Sequence, residues 1–180
     1  MTASVVWHTT MSLDGFVAGP DDAMDWVFDL TDRSPAGDET IRTTGAVLAG
    51  RRTYETGRKA NYRPYGGAWS GPVFVLTHRT ADDPDVTFLS TDLPEAVDTA
   101  RAAADGKNLV LLGARLGSQC LRQGLVDEIL VHLAPVLLGD GIRLYDAPGG
   151  ERVRLRRTEC SAAGQITDLR FRPADVERQP

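Results

Sequence analysis

Three short stretches of this 180-residue chain hold residues able to grip phosphate. Gly50-Arg51-Arg52-Thr53 follows the apolar run Ala46-Val47-Leu48-Ala49 and opens a segment of helical character. Two guanidinium groups and a hydroxyl therefore stand at a helix amino end. Cations are unfavourable there against the helix dipole unless an anion offsets them, and guanidinium groups hold phosphate oxygens bidentately. Solvated surface arginines are the other reading of the same residues. Thr77-His78-Arg79 ends a second apolar run that starts at Val73. A hydroxyl and a cation there suit a second phosphate, with a plain polar loop as the alternative. Gly113-Ala114-Arg115 follows a third run, Asn108-Leu109-Val110-Leu111-Leu112. A glycine between strand and helix lets backbone N–H groups approach a pyrophosphate, although it also suits an ordinary tight turn. The spacing is not G-x-G-x-x-G, which excludes the usual dinucleotide fingerprint.

Other candidate groups are weaker. Asp14, Asp21, Asp22, Asp25, Asp29 and Asp32 cluster early, and most read as turn caps and solvated surface. Asp14, followed by Gly15 in an otherwise apolar loop, is the one placed to face a ligand. Arg152, Arg154 and Arg156 alternate along an expected strand and share one face, read as a solvated sheet surface. Cys120 and Cys160 lack CxxC spacing and histidine neighbours at ligand spacing, so they read as reduced, mostly buried thiols with no metal site.

The elements that must position these groups follow from hydrophobic period and turn residues. Ser4 to Thr10 reads as a first strand, followed by a loop rich in Gly, Pro and Asp. Asp22 caps a short helix bearing Met24, Trp26 and Val27, and Ser34-Pro35 starts a second helix to about Thr44. Strands are expected at 46–50, 73–77, 86–89, 108–112 and 128–133. Helices are expected from Arg51 to Lys59, after Asp92 up to Asp105-Gly106, and from Gly113 to Gly124. Arg152 to Cys160 and Gln165 to Arg172 form an antiparallel hairpin joined by Ala162-Ala163-Gly164. Strands alternating with helices and closing on a hairpin indicate an α/β fold: a central, mostly parallel sheet with an antiparallel edge and helices on both faces. In such sheets ligands bind beyond the carboxyl ends of the strands, where the three phosphate-type stretches lie.

The length fits one domain, taken here as residues 1–180. A net charge of −5 disfavours a general nucleic-acid binder, which needs a basic face. The amino terminus lacks a basic segment followed by a long apolar run, and no stretch reaches membrane-spanning length, so the cytoplasm is the expected compartment.

Several motifs resemble a known family. Ser12-Leu13-Asp14-Gly15, then Gly50-Arg51-Arg52-Thr53-Tyr54-Glu55, then Gly124-Leu125-Val126-Asp127-Glu128 leading into Pro135-Val136-Leu137-Leu138-Gly139-Asp140-Gly141 occur in order between about Val5 and Phe171. They are similar to the reductase domain of bifunctional riboflavin-biosynthesis enzymes and to related stand-alone dihydrofolate-reductase-like proteins. This sequence has no deaminase zinc motif (H-x-E with P-C-x-x-C), so the bifunctional enzyme is not the expected reading.

The resemblance implies an NADPH-dependent reductase of a small heterocyclic or ribosylamine substrate. It places Gly50, Arg51, Arg52 and Thr53 on cofactor phosphates and Thr77, His78 and Arg79 near the adenosine 2′-phosphate. Gly113, Ala114, Arg115 and Leu116 would lie under the pyrophosphate, and Val17, Ala18 and Gly19 beside the nicotinamide in a mobile loop. Asp14 becomes the expected catalytic group facing substrate. The family pattern has two glycines where this chain has Leu112-Gly113. Ala23-Met24-Asp25-Trp26 resembles a segment of folate reductases, whose pterin-binding acid falls at Thr31 here, with Asp29 and Asp32 nearby. A dihydrofolate or pterin reductase and a non-catalytic NADPH-binding protein are the alternative readings. A homodimer is expected through the carboxyl-terminal hairpin and the apolar Pro135-Val136-Leu137-Leu138 segment.

Overall fold

The computed structural model describes residues 3–30, 34–79, 81–150 and 152–174. Its strands are β1 (Val5–Ser12), β2 (Phe16–Ala18), β3 (Thr44–Gly50), β4 (Val73–Leu76), β5 (Thr87–Leu89), β6 (Asn108–Leu112), β7 (Glu128–Ala134), β8 (Ile142–Arg143), β9 (Leu155–Ala163) and β10 (Ile166–Pro173). The helices are α1 (Asp25–Phe28), α2 (Pro35–Thr43), α3 (Arg51–Lys59), α4 (Leu93–Ala102) and α5 (Ala114–Arg122).

Eight strands form one sheet in the order β5-β4-β3-β6-β1-β7-β10-β9. All pairs from β5 to β7 are parallel, and β10 runs antiparallel between β7 and β9. The expected fold class is therefore present: a mostly parallel α/β sheet ending in an antiparallel hairpin.

The buried apolar run of each central strand supplies both faces of the sheet. On one face Trp7, Leu48, Leu109 and Leu111 pack with Val97 and Ala100 of α4 and Leu116 and Cys120 of α5. Gly117 rests flat on the Trp7 indole, where any Cβ would overlap the ring. On the opposite face Val6, Val47, Val110 and Leu130 pack under Ala36 of α2, with Tyr65 and Trp69 of the loop after α3 beside them. Ser34 accepts a hydrogen bond from Gly37 N to cap α2, and Asp92 accepts from Glu95 N to cap α4.

Some expectations change. The loop after β1 contains β2, which pairs with β8, so Val17 and Ala18 are buried strand residues. The hairpin's first strand starts at Leu155, leaving Arg152 and Arg154 ahead of it. Its register shifts where Arg170 and Phe171 face Glu159 and Arg157, so Thr158 bulges. Cys120 is buried as expected, but Cys160 is exposed because β9 is the edge strand of the sheet among the described residues. Thr31 and Asp32 lie outside the described residues. No helix among the described residues is long and apolar enough to cross a membrane.

Candidate functional site

β3 and β6 are sheet neighbours, and each runs directly into a helix, α3 and α5. Gly50 and Gly113 are the caps of these helices, and neither offers a side-chain acceptor to the first N–H groups. The contrast with α2 and α4, capped by Ser34 and Asp92, is direct. Two uncapped amino ends thus stand side by side at the carboxyl edge of the sheet, where exposed N–H groups and the helix dipoles favour an anion.

Gly113 has φ +108, and a Cβ there would overlap Thr53 Oγ1. The backbone of one strand end and the hydroxyl of the other therefore approach as no bulkier residue allows. Gly50 lies against Leu116 in the same way at ordinary contact, with 3.7 Å between its would-be Cβ and the Leu116 Cβ.

The third strand end joins them. Arg51 Nη1 donates to the Arg79 carbonyl at 2.8 Å and approaches Thr77 Oγ1 at 3.4 Å, while its Nε donates to Glu55 at 2.7 Å. Arg52 Nε donates to Asp22 at 2.7 Å, tying α3 to the turn after Gly19. Arg51, Thr77 and the Arg79 carbonyl therefore meet at one strand end and Thr53 and Gly113 at the next, while Arg52 reaches away to Asp22. Ala114 and Leu116 point into the core and offer only backbone, while His78 and Arg115 are exposed. An open groove of about 1060 Å³ lined by Arg42, Thr44, Trp69, Pro72 and Lys107 lies instead at the amino ends of the strands, away from this edge.

Asp14 has a different position from the one expected. Its carboxylate accepts from Ser12 Oγ at 2.6 Å, Leu138 N at 3.1 Å and Gly139 N at 2.7 Å. Hydrogen bonding from Ser12, with the backbone of Gly139 and Leu138 adding to it, lowers its pKa to about 2. Asp14 clamps the β1 loop to the segment after β7. As an ionised group with occupied acceptors it is unsuited to giving up a proton at neutral pH.

A second polar group was not legible in the sequence. Thr10, His132, Asp168 and Ser161 lie in one cross-strand row over β1, β7, β10 and β9. His132 Nδ1 donates to Asp168 Oδ1 at 2.6 Å, and Ser34 Oγ donates to Asp168 Oδ2. His132 Nε2 meets His8 Nε2 at 2.7 Å, and His8 Nδ1 meets the Tyr65 hydroxyl at 3.2 Å. Tyr65 stacks on the His8 ring with centroids 5.6 Å apart. The α2 backbone at Gly37 covers the His132 ring. Asp168 is 2% and His132 8% exposed.

Burial, reinforced by His132 and Arg170, pushes the His8 pKa down to about 3, and burial pushes that of Tyr65 up to about 12. At neutral pH His8 is an uncharged imidazole and Tyr65 a protonated phenol. The two facing imidazole nitrogens are too close to admit a metal ion, which would need about 2 Å on each side. One signal was available in the sequence: His132 interrupts the apolar run Ile129-Leu130-Val131 to Leu133-Ala134 of a mostly buried strand.

The fold and the edge together define a mostly parallel α/β protein with two open helix amino ends side by side at the carboxyl edge of its sheet. The chain belongs to the RibD C-terminal domain family, whose model matches residues 3–167. It is 28% identical over 175 residues to the uncharacterized protein YwjB of Bacillus subtilis, covering 95% of this chain and 98% of that one. It is 26% identical over 159 residues to the riboflavin biosynthesis protein RibD of Mycobacterium tuberculosis, covering 81% of this chain but only 46% of that protein.

Among solved structures it resembles a diaminohydroxyphosphoribosylaminopyrimidine deaminase/5-amino-6-(5-phosphoribosylamino)uracil reductase of Thermotoga maritima. The TM-score is 0.70 at 16% identity over 96% of this chain and 57% of that one. A pyrimidine reductase-like protein of Corynebacterium diphtheriae matches with TM-score 0.66 at 15% identity, over 96% and 92% of the two chains. The chain thus spans about half of the bifunctional proteins and nearly all of the stand-alone ones. The fold is that of the RibD reductase domains, which is dihydrofolate-reductase-like.

Proposed function

We propose that this protein is an NADPH-dependent reductase acting on a pyrimidine ribosylamine or a closely related small heterocycle. The observation that supports it most is the paired, uncapped starts of α3 and α5, closed together by Gly113 against Thr53. That cradle fits a pyrophosphate. Arg51, held by Glu55 and the Arg79 carbonyl beside Thr77, stands where a further phosphate on an adenosine ribose would find a guanidinium. Leu112 projects to the α2 face with Val110, so its bulk does not fill the cradle.

A nicotinamide cofactor supplies hydride when bound. The protein's own part is to fix the phosphates, hold the substrate against the edge and exclude water. Val17 and Ala18, pinned by the β2–β8 pair, wall the edge on the β1 side. Family membership favours a pyrimidine over a pterin. The test is loss of NADPH absorbance with 5-amino-6-(5-phosphoribosylamino)uracil and, separately, with dihydrofolate. Oxidation with the uracil compound is expected. Tight NADPH binding without oxidation of either would favour the non-catalytic reading.

We also propose a homodimer. Among the described residues the β9 edge has no strand partner; it carries Leu155, 42% exposed, and Leu137 of the segment after β7 is 70% exposed. Edges and apolar patches of this kind invite burial in a partner copy. Light scattering is expected to give twice the 19.5 kDa chain mass; a single-chain mass at micromolar concentration contradicts it.

A further inference from the structure

We infer that Tyr65, His8 and His132, anchored by Asp168, form a proton relay that protonates the substrate as hydride arrives, with the Tyr65 hydroxyl as the group that touches it. The inference rests on the reductase reading above and adds the proton source that reading lacks.

Position is the first argument. The β1–β6 register pairs Trp7 with Leu111, so His8 lies beside Leu112 and one residue short of Gly113. At about 3.3 Å per strand residue, His8 lies just beneath the edge where the cofactor phosphates are proposed to sit, and Tyr65 reaches it across the α2 face, where its hydroxyl also meets the Thr44 side chain. Tyr65 covers His8 from the loop after α3, half-buried, with Gly66 and Gly67 exposed beside it. Tyr65 holds φ +57, an unusual backbone for a bulky residue, so its placement is imposed by its surroundings.

Hydrogen-bond directionality is the second argument. Asp168 accepts from Ser34 and from His132 Nδ1–H, which fixes one end of the chain. In the resting state His132 Nε2 accepts from His8 Nε2–H, and His8 Nδ1 accepts from the Tyr65 hydroxyl. With one more proton on His132, beside the Asp168 carboxylate, the two outer bonds reverse. His132 Nε2–H then donates to His8, His8 Nδ1–H donates to the Tyr65 oxygen, and the Tyr65 hydrogen is free for a substrate. The same heavy-atom distances serve both states, so passage between them needs only proton hops. A Leu and Phe pair would fill this space without burying polar groups, so packing alone does not call for the network.

The step balances as follows. Hydride brings two electrons and forms a C–H bond at the carbon of a C=N group. The π pair moves to nitrogen, which takes the Tyr65 proton. Tyr65 regains one from His8 Nδ1, and His8 Nε2 takes the proton of His132 Nε2. His132 ends neutral, and the nicotinamide ends oxidised. Solvent restores the proton before the next turnover.

The test is steady-state NADPH oxidation with 5-amino-6-(5-phosphoribosylamino)uracil by the full chain and by Tyr65→Phe, His8→Phe and Asp168→Asn. Each variant is also checked for NADPH affinity by calorimetry and for a low-field imidazole proton by NMR. General acid catalysis contributes roughly 10²–10⁴-fold, so kcat is expected to fall by about that range with KM and NADPH affinity little changed. The solvent isotope effect on kcat seen in the parent chain should change in Tyr65→Phe. The low-field proton between His132 and Asp168 should persist in Tyr65→Phe and vanish in Asp168→Asn. If Asp168→Asn does not fold, the half-exposed Tyr65→Phe still decides. Undiminished kcat in both Tyr65→Phe and His8→Phe overturns the relay while leaving the reductase reading intact. A parent chain that binds NADPH and oxidises it with no pyrimidine or pterin substrate overturns the reductase reading, and the relay with it.

Discussion

The carboxyl edge of β3, β4 and β6 and the polar row across β1, β7 and β10 are built on opposite principles. At the edge, each functional stretch is local: a strand, a glycine or threonine, and the start of a helix within a few residues, as in Gly50–Thr53. Its chemistry comes from backbone N–H groups and exposed guanidinium groups. In the row, the partners His8, Ser34, His132 and Asp168 are distant in the chain, the two histidines being 124 positions apart. Its chemistry comes from buried side chains held by cross-strand register. On the proposed reading the edge holds an anion and the row passes a proton. Perturbing one should leave the other measurable, and the difference between them can be sharpened experimentally.

The largest effect is expected at the edge. Gly113→Val forces a branched residue into φ +108 and into Thr53. Backbone strain and overpacking together should cost roughly 3–5 kcal/mol of stability. NADPH affinity should drop by about two orders of magnitude or more. Denaturant melts with calorimetry check both; a variant that is stable and binds normally would remove the cradle from the account.

The row should set the acid sensitivity of the fold. His8 has a folded pKa of about 3 against 6.5 when unfolded. The neutral form is favoured in the native state, so its contribution to stability is present above pH 6.5. That contribution is lost progressively as pH falls toward 3, where the unfolded chain takes up a proton that the folded chain does not. The change is on the order of 3 kcal/mol across that window. Stability–pH curves for the parent and His8→Phe should diverge there, the variant being flatter. Superimposable curves would contradict the half-buried, neutral His8.

The smallest effect belongs to Asp14. Its folded pKa of about 2 lies below the ordinary 3.8, so its stabilising contribution exists above pH 3.8 and disappears only as pH falls toward 2. Asp14→Asn should therefore alter the acid limb of the unfolding curve below the His8 window. It should leave kcat largely intact, because the side chain acts by clamping Leu138 and Gly139. A collapse of kcat with unchanged KM would restore Asp14 to a direct catalytic role.

The contrast also explains what the sequence disclosed. α3 and β6 are found over the residues expected, Arg51–Lys59 and Asn108–Leu112, because glycine, apolar run and helical period are all local signals. The convergence of Arg51 with Thr77 and of Thr53 with Gly113 followed once these segments were placed at strand ends. The β2–β8 pair was hidden because two- and three-residue strands have no period to detect. The histidine row was hidden because His8 and His132 become neighbours only through the β1–β7 pairing, and Asp168 only through β7–β10. The alternation read from Arg152, Arg154 and Arg156 failed because β9 begins only at Leu155, leaving the first two outside the strand.

The most direct test of the central claim is a calorimetric titration of the full chain with NADPH and with NADH, repeated on Arg51→Ala. NADPH should bind tighter than NADH by one to two orders of magnitude, roughly 1.5–3 kcal/mol, and Arg51→Ala should erase most of that preference. Equal dissociation constants for the two cofactors, or no binding of either, would contradict the account.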